Sequence, residues 1–268
     1  MSDVVLIEHR DPGIALLTFN RPDRLNAWNG NLAARYFTLL DECAADPAVK
    51  VIVVTGAGRG YCAGADMDAL QGLGGGGPVG ADGAAAAAGG RPQHHTAAVP
   101  KPVIAAVNGA CAGIGMVQAL MCDIRFAAAG AKFTTAFARR GLIGEYGMSW
   151  ILPRLIGTSR ALDLMLSGRV VLAEEALALG MVNEVVAPER LLDRTLEYAA
   201  DLAVNCSPTS MAVMKRQVYA DWDRGLVEAS DTAEALMKAS IMRPDFVEGV
   251  ASFVEKRPPR FGPVDPTA

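Results

Sequence analysis

Between Lys101 and Asp123 the chain reads KPVIAAVNGACAGIGMVQALMCD, and the chemistry on offer there belongs to the backbone. The apolar run Val103–Val107 has the pattern of a buried strand. Asn108-Gly109 ends it, small residues follow from Ala110 to Gly115, and Met116, Val117, Ala119, Leu120 and Met121 make a nearly all-apolar helix. A strand, a glycine-rich turn and a buried helix leave backbone N–H groups at the helix start, facing a pocket. Such groups hold a phosphate, or an oxygen that becomes negative during a reaction. Close backbone packing at a tight corner would use the same residues with no chemistry at all.

A second corner has the same design. Val49 to Thr55 reads as another buried strand and runs into Gly56-Ala57-Gly58-Arg59-Gly60. The glycines invite a dinucleotide-binding reading, which fails: the run continues into Tyr61-Cys62-Ala63-Gly64-Ala65-Asp66, with no periodic helix at the right place and no acid at the required spacing. His94-His95 is the other candidate pair. Adjacent side chains point to different sides, and no partner ligands accompany these two, so a metal site is not expected. The five cysteines, Cys43, Cys62, Cys111, Cys122 and Cys206, are odd in number and scattered among apolar residues. They read as reduced core thiols of a cytoplasmic protein.

These corners need a scaffold. At 268 residues, 51% hydrophobic and 20% charged, the chain can bury a large core. A net charge of −4 argues against a sequence-independent nucleic-acid surface. No apolar run approaches membrane-spanning length, and the opening MSDVVLIEHRDPG is not a signal peptide. Val4–Glu8 and Ile14–Phe19 flank Asp11-Pro12-Gly13 as a hairpin. Leu32, Tyr36, Leu39, Leu40 and Cys43 keep helical spacing. Gly72 to Arg91 is low-complexity Gly/Ala, too poor in side chains to fill a core. Short strands are expected at Ile124–Ala127 and Lys132–Phe133, a helix from about Ser149, and a late strand over Gly180–Val186. From Ser207 onward the pattern is helical only: Thr209–Ala220, Leu226–Ile241 and Phe246–Glu255. The expected organisation is an α/β body over residues 1–204 and a helical region over 205–268 that packs outward, onto a neighbouring subunit.

Taken together, VTGAGRGYCAGADM, KPVIAAVNGACAGIGMVQALMCD and the ending EGVASFVEKRPPRF resemble the crotonase superfamily, that is, the enoyl-CoA hydratase/isomerase family. The resemblance runs from Val4 to Phe261 and is weak only through the Gly/Ala stretch. It implies a crotonase-like α/β fold, a right-handed superhelix of β-β-α units with a C-terminal helical trimerisation region, assembled as a homotrimer or a dimer of trimers. It implies an acyl-CoA thioester as substrate, with coenzyme A part of that substrate and no separate cofactor. The family's two oxyanion N–H donors fall on Ala65 and on Ile114, with Gly115 the alternative for the second. Gly64, Asp66 and Gly113 lie beside them. Arg24 resembles a contact to the CoA phosphates and Ala63 the backbone contact to adenine. Phe253 and Lys256 match tail residues that close over the nucleotide, often from an adjoining subunit.

The same resemblance marks a departure. The family's hydratases grip a water between two glutamates, and here those positions fall on Val117 and Phe137. Neither side chain carries a proton, so both become apolar wall. In relatives that isomerise double bonds, including the phenylacetate-type isomerases, an aspartate in a Pro-Asp-x-Gly segment lies slightly further on. Here that segment is Gly144-Glu145-Tyr146-Gly147. A lone Glu145 beside apolar residues is expected to have a raised pKa, suited to taking and returning one proton. The other expectation for Glu145 is an acid that caps the following helix. Three activities follow: enoyl-CoA isomerisation with Glu145 as the proton shuttle, weak water addition by Glu145 alone, or a catalytically silent CoA-binding trimer. Dehalogenation would also need a placed histidine, and His94 and His95 fall where the alignment fails.

Overall fold

The apolar runs that read as strands pair into one sheet. The computed structural model describes residues 3–67 and 90–265, so most of the Gly/Ala stretch lies outside the described residues. Strands β1 (Val5–Arg10) and β2 (Ile14–Phe19) form the antiparallel hairpin, in register from Val5 opposite Phe19 to Arg10 opposite Ile14. β3 (Val51–Gly56), β5 (Val103–Val107), β7 (Ile124–Ala128) and β10 (Glu184–Val186) then add in parallel, giving the order β1-β2-β3-β5-β7-β10. β3 and β5 are buried along their whole length, which is why they read as continuous apolar runs and not as alternating ones. β1, on the edge, is mostly exposed. The late strand is shorter than its apolar pattern: Gly180 ends the preceding helix in the left-handed conformation, and pairing begins only at Glu184.

A second, smaller sheet holds β4 (Gly60–Cys62), β6 (Ala110–Ala112), β8 (Lys132–Thr134) and β9 (Val171–Leu172), in that order. β3, β5 and β7 of the large sheet are each followed by a short strand in the small one. β4, β6 and β8 are parallel, so the chain advances as a spiral with one strand per turn in each sheet.

Helices fill the outside of the spiral. Helix α1 (Gly30–Ala45) starts at Asn29, whose side chain accepts the Leu32 N–H at 3.0 Å, and buries Leu32, Tyr36, Phe37, Leu39, Leu40 and Cys43 along one face. Its carboxyl end is closed by Lys101, which is only 2% exposed and donates to the carbonyls of Cys43 at 2.7 Å and Asp46 at 2.5 Å. Next come α2 (His95–Ala98), α3 (Ile114–Leu120), α4 (Met148–Ile156), α5 (Thr158–Ser167) and α6 (Ala173–Leu179). α7 (Leu191–Asn205) packs across β2, β3, β5 and β7.

The last three helices are α8 (Pro208–Asp221), α9 (Leu226–Ile241) and α10 (Pro244–Glu255). α8 is tied to the spiral: Lys215 Nζ pairs with Asp123 at 2.8 Å, and Asp123 also accepts the Val103 N–H at 2.7 Å. Burial pushes the Asp123 carboxyl up, against the pull of Lys215. α9 buries no residue, and α10 buries only Ser252. Leu226, Val227, Met242, Val247 and Val254 are left exposed on this arm. All five cysteines are free thiols, four of them buried. Among the described residues no helix is long and apolar enough to cross a membrane, and no three His, Cys, Asp or Glu side chains gather as a metal site.

Candidate active site

The two glycine corners meet. β4 leads into Ala63-Gly64-Ala65, and β6 leads into Gly113 and the start of α3. Trp28 clamps the first corner, its N–H on the Gly64 carbonyl at 2.7 Å and its own carbonyl taking the Asp66 N–H at 2.9 Å. Ala65 lies between these two bonds. Gly113, at φ +50° and ψ −124°, turns the chain from β6 into α3 in a conformation that favours glycine. Its N–H donates to Thr134 at 2.9 Å, and its carbonyl takes the first helical bond, from Val117, at 3.0 Å. Among the described residues the N–H groups of Ala65 and Ile114 donate to nothing, and both residues line one cleft. Gly115 does a different job. A Cβ there would lie 2.2 Å from the Cys62 carbonyl oxygen, so its missing side chain lets α3 pack hard against β4. Open N–H groups and close packing are therefore both present, one residue apart.

The cleft has a volume of about 510 Å³. Its wall brings together Arg24, Ala63, Gly64, Ala65, Asp66, Gly113, Ile114, Phe137 and Glu145. Three other residues singled out in the sequence lie elsewhere. Val117 is 0% exposed, one turn into α3 behind the wall. Phe253 is 85% exposed on α10 and borders a separate groove with Phe246 and Phe261. Lys256 is the exposed residue that ends α10, in the left-handed conformation.

Glu145 sits just ahead of α4, in the loop Gly141–Gly147. It does not cap the helix: the N-cap position is Gly147, at φ +84°, with no side-chain cap, and only the Glu145 backbone carbonyl reaches the helix, taking the Met148 N–H at 3.0 Å. Among the described residues its carboxylate has no hydrogen bond and no ion pair. Burial alone raises its pKa, with no cation to pull it back. Tyr146 beside it is a non-glycine residue at φ +53° and also lines the cleft. Backbone strain of this kind gathers at functional loops. Its phenol is pushed up by burial and then by the Glu145 charge. The second acid of the wall, Asp66, is engaged otherwise: Arg21 Nη2 pairs with it at 2.7 Å.

Several residues of the site carry no motif. Asn26 is fully buried at φ +57°. It accepts the Arg21 N–H at 2.8 Å and donates to the carbonyls of Ala57 at 3.0 Å and Gly60 at 2.7 Å. The polar segment Arg21–Ala27 is thereby fastened to the β3–β4 turn, which brings Arg24 to the cleft. The one available signal was a positive-φ-tolerant amide inside a polar loop. Trp28, Gln93, Arg140 and Tyr146 also line the wall. His95 does not: its Nε2 meets Asp41 Oδ1 at 2.7 Å and its ring packs edge-on to Phe37.

Known proteins resemble this chain in sequence and fold. The family model described as "Enoyl-CoA hydratase/isomerase" matches residues 9–263. The chain is 36% identical to a 1,2-epoxyphenylacetyl-CoA isomerase of Escherichia coli (strain K12), over 96% of this chain and 97% of that protein. Among solved structures, an enoyl-CoA hydratase from Mycobacterium marinum is 56% identical with a TM-score of 0.70, covering 83% of this chain and 100% of that one. A probable enoyl-CoA hydratase/isomerase from Mycobacterium abscessus superposes with a TM-score of 0.87 at 31% identity, over 97% and 98% of the two chains. The chain belongs to the enoyl-CoA hydratase/isomerase family.

Proposed function

We propose that the protein is an enoyl-CoA isomerase that moves a double bond with one carboxylate. The N–H groups of Ala65 and Ile114 receive the thioester oxygen and stabilise the enolate as charge develops on it. Glu145 removes the α-proton of a 3-enoyl-CoA, and the electron pair spreads over the dienolate. The same carboxyl then returns the proton to the γ-carbon, giving the conjugated 2-enoyl-CoA. The observation that carries this reading is the single unpartnered carboxylate among the described residues of the wall, raised in pKa by burial. Water addition needs a gripped water as well as a proton, and the resemblance sets the two water-gripping positions on Val117, which is buried, and Phe137, which is apolar wall. Arg24 and the Ala63 backbone take the CoA end.

A 3-enoyl-CoA such as 3-hexenoyl-CoA should be converted faster than crotonyl-CoA is hydrated, by about 10²-fold or more, since both of the carboxylates that grip the water in hydration are missing. Absorbance of the conjugated thioester follows both reactions. The 56% identity to an enoyl-CoA hydratase from Mycobacterium marinum favours the second reading, hydration. Crotonyl-CoA turnover equal to or above isomerisation would establish it instead. An acyl-CoA that binds but exchanges no α-proton with D₂O would leave a silent binding protein.

Residues 205–268 are proposed to assemble the chain as a trimer or a dimer of trimers, covering the apolar side chains that α9 and α10 leave exposed. Phe253 and Lys256, remote from the cleft of their own chain, would then serve a neighbour. Sedimentation equilibrium should give a mass of three or six chains. A monomer would remove this role from the tail.

A further inference from the structure

In the wall of the cleft, a buried amide fixes the direction of a half-buried one. Gln118 lies on α3 and is fully buried. One end of its carboxamide is 2.9 Å from the backbone carbonyl of Gln93. A carbonyl only accepts, so that end is the NH₂ group. The same NH₂ lies 3.4 Å from the Gln93 side chain, which must turn its own acceptor, Oε1, towards it. The other end of Gln118, its Oε1, takes the Thr96 hydroxyl at 3.4 Å, and Thr96 is in turn 3.1 Å from the buried Tyr36 hydroxyl. With its oxygen held in this chain, the Gln93 side chain has its NH₂ group left over. No described residue accepts from it, and Gln93 lines the cleft. Trp28, in the same wall, has an indole N–H that is buried without an acceptor among the described residues, inside the edge-on cluster of Phe19, Tyr36 and Phe37. The half-buried Gln93 NH₂, with no protein acceptor among the described residues, is free to donate to a ligand oxygen in the cleft.

We propose that Gln93 is a specificity-determining residue whose amide N–H₂ receives a neutral oxygen carried on the acyl chain, so that the preferred substrates are acyl-CoA esters bearing a keto, hydroxyl or ether oxygen rather than plain hydrocarbon chains. The described wall sets Arg24 and Arg140 against Asp66 and Glu145, leaving no net charge to draw a carboxylate, which favours a neutral acceptor. This inference rests on the acyl-CoA reading above and is independent of which reaction Glu145 catalyses.

The test is equilibrium binding by titration calorimetry with hexanoyl-CoA, 4-oxohexanoyl-CoA and 5-oxohexanoyl-CoA. At least one oxo ester should bind about three- to tenfold more tightly than hexanoyl-CoA, the usual range for one net hydrogen bond. Gln93→Leu should bring that ratio close to one. Gln93→Glu, which puts an acceptor where the donor stood, should bring it below one and serves if the leucine variant does not fold. Equal binding of all three esters to the unmodified protein would overturn the proposal, as would a preference that survives in the variants. If none of the esters binds, the acyl-CoA reading falls and this inference with it. A keto preference in a protein that exchanges no α-proton would remove the isomerase reading alone.

Discussion

Replacing Ile114 by proline should slow turnover of a 3-enoyl-CoA by about 10²–10³-fold, the usual effect of losing one of two oxyanion donors. The position allows a clean removal. Ile114 is the first residue of α3, and its N–H makes no bond within the helix or with any other described residue. Proline is well tolerated at the first helical position, where its missing donor costs the helix nothing. The preceding residue is Gly113, the type least crowded by a following proline ring. Ile114→Ala is the control, since it loses the side chain and keeps the N–H. It should retain turnover within about tenfold, with thermal melting to confirm that both variants fold. A proline variant as active as the parent would show that the donor is Gly115 or another group. An alanine variant as slow as the proline one would show that the isoleucine side chain, by shaping the cleft, is what turnover depends on.

The long elements and the short strands β7 and β8 are legible in the sequence, while β4 and β6 are not, for a physical reason. α9 covers Leu226–Ile241, as the helical pattern indicates, and α1 and α4 begin within a turn of their expected starts. β3 and β5 stand out because burial on both faces demands unbroken apolar runs. β4 and β6 are three residues each, built from Gly, Ala, Cys and one Tyr. No period of two can be read from so little, and the second sheet exists because the spiral stacks these segments, not because any of them prefers to be a strand. The site shows the same division. The glycine corners after strands have a recognisable form, and it is the family resemblance they carry that points to Ala65 and Ile114. The role of Gln93 could not, since it depends on a buried Gln118 whose orientation is set by a backbone carbonyl and a threonine brought together only by the fold. His94 and His95 were ambiguous as a pair and separate once Asp41 is seen beside His95.

Glu145→Gln should reduce isomerisation by about 10²–10⁴-fold, the range for a positioned general acid–base group. The substitution keeps the size of the side chain and removes the basic oxygen. It breaks no described hydrogen bond or ion pair, because the carboxylate makes none, so folding should be unaffected. Binding of a saturated acyl-CoA should change little, since Ala65, Ile114 and Arg24 are untouched, and the loss should fall on kcat. The pH dependence adds a second signature. The base must be ionised to take the α-proton, so kcat/KM rises with pH through the pKa of Glu145. Burial raises that pKa, which moves the acid limb of the profile above the ordinary glutamate range. The limb should be missing from whatever activity the glutamine variant retains. Normal turnover in Glu145→Gln would leave Asp66 as the remaining acid among the described residues of the wall, and its ion pair with Arg21 would then have to open during the reaction. A slow variant whose acid limb is unchanged would mean that Glu145 shapes the loop through Tyr146 and that another group carries the proton.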